Sequence, residues 1–92
     1  MPNMPTSIEI RVDRESTNDE FIDILTVYRA DGDLVVVGDE LIEFETSKGV
    51  VVVAAEVAGV FRTQVVAGDE VAIGAVLARI EAIEPSHTES VP

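Results

Sequence analysis

Residues 32–45 of the chain read G-D-L-V-V-V-G-D-E-L-I-E-F-E, and residues 68–81 read G-D-E-V-A-I-G-A-V-L-A-R-I-E. The two stretches align without a gap at an offset of 36 residues. Their identical pairs are Gly32/Gly68, Asp33/Asp69, Val35/Val71, Gly38/Gly74, Leu41/Leu77 and Glu45/Glu81. A chain with such an internal repeat is expected to fold as two related halves around a pseudo-twofold axis.

Each copy of the repeat begins with the short motif G-D-x-V-x-x-G. Glycine at both ends of such a motif suits tight turns that need a positive φ, and an aspartate beside it can cap the turn through its side chain. We therefore interpret Asp33 and Asp69 as turn residues rather than metal ligands.

The rest of the sequence is divided in the same way into short apolar runs separated by Gly, Asp or Glu. Valine is abundant and only four residues are aromatic, a composition that favours a pleated β core over a helical one. The pattern predicts an all-β fold of about eight short strands. The runs are 8–12, 21–28, 34–36, 41–46, 50–54, 60–66, 70–72 and 76–83.

Length and charge narrow the classes of function. The chain has 92 residues, no cysteine and a formal net charge of −12, so we expect one small domain that repels nucleic-acid phosphate and anionic lipid. No apolar run approaches the length of a membrane span, and the N-terminus has no targeting pattern. We expect a cytoplasmic protein, or a mitochondrial matrix protein that has been processed.

The domain is expected to span residues 8–83. Residues 1–7 are expected to be a disordered tail, and residues 84–92 a flexible tail or linker.

Lys48 is the only lysine in the chain. At the repeat offset, residues 46–48 align with residues 82–84, so Lys48 occupies a connection that the second half lacks. The connection Ser47-Lys48-Gly49 joins two predicted strands and contains a glycine, which is typical of a β-hairpin. The sequence therefore predicts that Lys48 lies at an exposed hairpin tip, opposite the two chain termini.

These features form one longer pattern, G-D-x-[VL]-x-x-G-x-x-L-x-x-[IF]-E-T-x-K, followed by V-A-G at 57–59 and a second G-D-x-V-x-x-G-x-x-L. Over about residues 8–83 the chain resembles the lipoyl domain of 2-oxo acid dehydrogenase complexes, within the biotinyl/lipoyl-attachment family. The resemblance implies a barrel-sandwich hybrid, a flattened barrel or sandwich of two four-stranded antiparallel sheets related by a pseudo-twofold. It also implies that lipoate is joined by an amide to Lys48, as a swinging arm that carries acyl groups and electrons between active sites.

By this resemblance the chain is a carrier domain of a multienzyme complex rather than an enzyme, freestanding or excised from a dihydrolipoamide acyltransferase. The implied partners are a lipoate ligase or lipoyl transferase, a thiamine-dependent decarboxylase, an acyltransferase and dihydrolipoamide dehydrogenase. Arginine at the other five basic positions leaves a modifying enzyme one side-chain amine, and the small neighbours Ser47 and Gly49 keep it accessible.

Two alternatives remain open at this stage. Lipoyl domains commonly have Asp before the lysine and Ala after it, whereas this chain has Ser47 and Gly49. One alternative is therefore an unmodified lipoyl-like structural or docking module. The other is the biotin carrier domain of a carboxylase, although the methionines that usually flank a biotinylated lysine are absent.

Candidate contacts with partner enzymes surround the predicted hairpin. Glu40, Glu43 and Glu45 are candidates for acidic recognition beside Thr46 and the lysine. By the resemblance, the polar segment 13–20, which includes Asp13, Arg14 and Glu15, corresponds to a surface loop near the lysine that helps partners recognise the domain; the alternative is a polar loop that is merely solvated. In the valine run 50–53, alternate side chains of a half-buried strand should face water, and Val51 and Val53 are candidates for an apolar docking surface.

Overall fold

The computed structural model describes residues 7–13 and 19–82. The predicted terminal segments, except Ser7, lie outside the described residues, as do Ile83, Arg14 and Glu15. Ser7 was predicted to be part of the tail, but the first strand begins there. The strands are β1 (Ser7–Arg11), β2 (Phe21–Val27), β3 (Leu34–Val35), β4 (Glu40–Thr46), β5 (Gly49–Ala54), β6 (Gly59–Thr63), β7 (Glu70–Ala72) and β8 (Val76–Ala82).

The strands form two antiparallel four-stranded sheets, which confirms the predicted all-β sandwich. The first sheet, in the order β1-β8-β6-β3, is called sheet A, and the second, in the order β5-β4-β2-β7, is called sheet B. The repeat maps β8 onto β4 and β3 onto β7, and the strand orders then map β1 onto β5 and β6 onto β2. The registers agree as well: Ser7 pairs with Glu81 in sheet A, as Val50 pairs with Glu45 in sheet B.

The hydrophobic core lies between the two sheets and includes residues from both halves of the repeat. Leu41 and Leu77 are equivalent in the repeat and are almost completely buried, and each is worth roughly 1.5–3 kcal/mol when removed from water. The buried apolar residues are Val12, Ile22, Ile24, Val35, Leu41, Ile42, Phe44, Ala55, Phe61, Leu77, Ala78 and Ile80. The duplicated apolar positions therefore face each other across the pseudo-twofold axis.

The turns of the repeat have the predicted chemistry. The glycines at 32, 38, 68 and 74 have φ between +91° and +96°. Asp33 Oδ2 accepts a 2.8 Å hydrogen bond from the Ala30 amide, and Asp69 Oδ2 accepts one of 2.9 Å from the Val66 amide. Both aspartates thus cap the turns that begin their copies of the repeat.

Two local features differ from the prediction or from the repeat. The sixth strand was predicted to reach Val66 but ends at Thr63, because the Thr63 hydroxyl donates to the Leu77 carbonyl and accepts from the Val65 amide, and the chain turns away. Leu25 is a bulge residue where β2 pairs with β4. The equivalent strand of the other sheet, β6, pairs with β8 without a shift in register. Sheet B is therefore locally irregular where sheet A is regular.

Candidate functional site

The predicted hairpin forms between β4 and β5, and its tip is called the lysine turn (Thr46, Ser47, Lys48 and Gly49). Thr46 pairs with Gly49, which leaves Ser47 and Lys48 as the two unpaired residues of the tip, and both are exposed. Among the described residues only glycines have a positive φ, so Ser47 and Lys48 keep ordinary backbone angles. Gly49, at φ +138°, has a backbone conformation that is strained for L-residues.

The side chain of Thr46 stabilises the turn from within. Its hydroxyl accepts a 3.0 Å hydrogen bond from the Lys48 amide and lies 3.3 Å from the Gly49 carbonyl, to which it donates. The backbone of the turn is therefore held at its base while the Lys48 side chain remains in solvent.

The loop between β1 and β2 reaches the lysine turn, as the family resemblance implied. The Ser47 amide donates a 2.6 Å hydrogen bond to Asp19 Oδ2. Sequence reasoning placed candidates at Asp13, Arg14 and Glu15, but it missed Asp19 within the same polar segment. No local signal distinguishes Asp19 from its acidic neighbours, because its partner lies 28 residues away.

A shallow, largely apolar groove of about 280 Å³ runs from the lysine turn along β5. We call it the lysine-side groove. Lys48 lies at its wall together with Asp13, which follows β1. The apolar wall consists of Val12, Phe44, Val50, Val51 and Val53. Two predicted candidates, Val51 and Val53, thus lie beside the lysine, and Val53 also packs against the core.

The valine run is more exposed than strand alternation predicted. Two of the four valines were expected to face water, but Val50, Val51 and Val52 are exposed at 52%, 41% and 42%. The reason is that β5 is the edge strand of sheet B, so the core-facing side of Val51 has no further strand to cover it. Val50 and Val52 point outward, opposite Glu45 and Glu43.

A row of carboxylates crosses the outer side of sheet B directly behind the lysine turn. Glu45 pairs with Asp23, and Asp23 pairs with Glu70 on the next strand. All three are exposed, and like charges directly opposite one another on a sheet are destabilising. Glu45 was a predicted contact, whereas Asp23 and Glu70 join it only through the pairing of strands.

Glu43 lies one step farther from the turn, where its Oε1 accepts a 2.9 Å hydrogen bond from the Thr26 hydroxyl. Its charge also reaches Tyr28. Partial burial raises the pKa of the Tyr28 phenol above 10.0, and the carboxylates of Glu43 and Glu40 raise it further. Glu43 and Glu40 thus act together on Tyr28.

Within residues 7–13 and 19–82, no group of three or more His, Cys, Asp or Glu side chains is arranged to hold a metal ion. The described part of the chain also has no helix that is long and apolar enough to cross a membrane.

Comparison with known proteins identifies one family. The biotin/lipoyl family model, whose description is "Biotin-requiring enzyme", matches residues 9–81. No curated protein matches the chain significantly. The matched region contains both copies of the repeat and the whole lysine turn.

Proposed function

The chain belongs to the biotin/lipoyl attachment family, and from that premise we propose that it is a carrier domain lipoylated on Lys48. Domains of this family are carriers with a cofactor covalently attached to a lysine, and they are not catalytic. The observation that carries the proposal is the position of the only lysine, exposed at the tip of the one hairpin that the repeat does not duplicate.

The residues of the lysine turn fit such an attachment. The Lys48 amine is accessible, its neighbours Ser47 and Gly49 are small, and the turn is held by Thr46. On modification, an amide bond forms between Lys48 Nζ and the carboxyl carbon of the cofactor, while the bond from that carbon to its activating leaving group breaks and the amine releases a proton. The lysine charge is lost in this step.

Lipoate is proposed over biotin because of the residues around Lys48. The segment Phe44-Glu45-Thr46 is similar to the sequence that precedes a lipoylated lysine, and neither neighbour of Lys48 is the methionine typical of biotin carriers. The dithiolane of lipoate would supply acyl transfer and electron transfer. The protein would supply a rigid base and a flexible tether, which raises the effective concentration of the arm at nearby active sites.

This proposal assigns the chain to a 2-oxo acid dehydrogenase-type complex. Its partners there would be a thiamine-dependent decarboxylase, an acyltransferase and dihydrolipoamide dehydrogenase.

Intact mass measurement tests the proposal. The chain is co-expressed with a lipoate ligase or, separately, with a biotin ligase, and peptide mapping locates any added mass. We expect a lipoyl increment on Lys48 that is absent from the matched variant Lys48→Arg, which keeps the charge. A biotinyl increment on Lys48 would instead make the chain a biotin carrier.

The exposed valines of β5 favour one other candidate function, an unmodified docking module. Exposed apolar side chains on an edge strand are a surface on which another protein can pack. This candidate predicts no added mass with either ligase, so the wild type and Lys48→Arg would each have the mass calculated from its own unmodified sequence.

A further inference from the structure

The two sheets present outer sides of opposite electrostatic character. We call the outer side of sheet B the acidic face and that of sheet A the paired face. The acidic face comprises Asp23, Thr26, Glu43, Glu45, Val50, Val52 and Glu70. The paired face comprises Ser7, Glu9, Leu34, Val60, Arg62, Arg79 and Glu81. Because the repeat superimposes one face on the other position by position, each serves as an internal control for the other.

On the paired face, acidic residues have basic partners within the domain. Arg62 lies 3.5 Å from Glu81 and 3.6 Å from Asp31, and Arg79 lies 3.7 Å from Glu81. Arg11, on the same edge strand as Glu9, contacts it at 2.6 Å. The fold therefore allows carboxylates at these strand positions to form ion pairs with arginines of the same domain.

On the acidic face the same positions contain no arginine. Glu43 occupies the place of Arg79, and Thr26 that of Arg62. In the row behind the lysine turn, Asp23 occupies the place of Val60. No ion pair in the described part of the chain involves Asp23, Glu43, Glu45 or Glu70. The repulsion between Glu45, Asp23 and Glu70 is thus not required by the fold, which accommodates uncharged residues at equivalent positions.

The acidic face also has an apolar border next to Lys48. Val50 and Val52 point outward beside Glu45 and Glu43, where sheet A has Ser7 and Glu9. No described acidic cluster is arranged for a metal ion, and the face repels phosphate-bearing surfaces. A row of carboxylates bordered by exposed valine is complementary to a protein surface with basic side chains and an apolar patch.

We propose that the acidic face is the docking surface for the ligase that acylates Lys48. The inference rests on the proposed function. An unmodified lysine extends only the length of its own side chain, so a ligase has to approach the strands behind the turn, and the acidic row lies there. The ligase contributes a cluster of lysine and arginine side chains opposite Glu45, Asp23 and Glu70, and an apolar contact opposite Val50 and Val52.

The test uses the full chain, lipoate, ATP and the lipoate ligase of the mass experiment, and measures kcat/KM for modification. The test variant combines Asp23→Asn, Glu45→Gln and Glu70→Gln. The matched control combines Glu9→Gln, Asp31→Asn and Glu56→Gln, which removes the same charge from exposed sites away from the acidic face. Circular dichroism checks that both variants are folded.

At low salt we expect kcat/KM of the test variant to fall about tenfold, mainly through KM, and that of the control to change by less than about twofold. The gap between the two variants should close as salt screens the charges. An equal fall in both variants, or no fall in either, would overturn the docking surface while leaving lipoylation intact. A wild-type chain that no ligase modifies would overturn both proposals.

A second variant separates the apolar contact from charge. Val50→Ser with Val52→Ser should lower kcat/KM at low and high salt alike, because apolar contacts are not screened. Unchanged kcat/KM in this variant would limit the docking surface to its carboxylates and contradict the apolar part of the proposal.

Discussion

The backbone amide of Ser47 donates a 2.6 Å hydrogen bond to Oδ2 of Asp19, a residue of the loop that precedes β2. This bond connects the tip of the β4–β5 hairpin to a segment that is not its neighbour in the sheet. The residue immediately before Lys48 is thus positioned from outside the hairpin. The conformation of the lysine turn depends on the β1–β2 loop as well as on Thr46.

Asp19→Ala should loosen the lysine turn without unfolding the domain. Loss of one charge-assisted acceptor at an exposed site should cost about 0.5–1.5 kcal/mol in the free energy of unfolding. The local effect should be faster hydrogen exchange at the Ser47 amide, measured by NMR. The neighbouring variant Glu20→Ala serves as control. Unchanged exchange at Ser47 in Asp19→Ala would show that the bond does not hold the turn in solution.

Gly49→Ala should destabilise the domain through its backbone alone. A Cβ at this position would meet no atom within 4 Å, but φ is +138°, where L-residues are strained. We expect a loss of about 1–2 kcal/mol in urea unfolding. Ser47→Ala, at an exposed turn residue with a negative φ, should change stability far less. Equal effects of the two substitutions would contradict the assignment of strain to residue 49.

Gly59→Ala should be more damaging than Gly49→Ala for a different reason. A Cβ at Gly59 would lie 2.3 Å from the Glu81 carbonyl oxygen, in the pairing of β6 with β8. The strands would have to separate, so we expect a loss larger than the roughly 1–2 kcal/mol of the strained turn. Urea unfolding of both variants under the same conditions gives the ranking, and a smaller loss for Gly59→Ala would refute it.

Asp23→Asn should stabilise the domain. The substitution keeps the size of the side chain and removes the central charge of the row, which relieves the repulsion from Glu45 and from Glu70. The expected gain is about 0.5 kcal/mol in the free energy of unfolding at low salt, and it should shrink as salt is added. Glu56→Gln, away from this row, is the control. A loss of stability in Asp23→Asn would mean that the carboxylate has a stabilising role.

The Tyr28 phenol should titrate above pH 10.0, and Glu43→Gln should lower its pKa toward that value. Since the folded state favours the neutral phenol, the associated stability is present below pH 10 and is lost as pH rises through the raised pKa. Tyr28 is the only tyrosine and the chain has no tryptophan, so ultraviolet absorbance reports this group alone. An unaltered titration in Glu43→Gln would exclude the carboxylate as a cause.

The fold could be predicted from local sequence because its signals are local or repeated. Glycine and aspartate specify the turns within four residues, and the repeat locates equivalent strands without knowledge of their pairing. The hairpin with Lys48 followed from the mismatch between the two copies. The end of β6 could not be predicted, since apolar Val65 and Val66 continue the strand pattern while Thr63 bonds across to Leu77 and ends it.

The residues of the candidate site also divide into those that the sequence predicted and those that it did not. Thr46, Ser47, Lys48 and Gly49 are adjacent in the chain, so a short motif was enough to predict that they form one exposed turn. The assignment of the valines was incomplete, because Val51 and Val53 were named whereas Val50 and Val52 are the outward pair. A run of four similar residues contains no signal for which of them face outward.

The sequence by itself determined two related β halves and a single lysine at the connection that only one half has. Only the tertiary structure brought Asp19 to the Ser47 amide and aligned Asp23, Glu45 and Glu70 in one row. The physical reason is that strand register and loop contacts join residues far apart in the chain. Repeats, turn residues and apolar periodicity are readable along the chain, whereas cross-strand neighbours are set by how the two sheets assemble around the core.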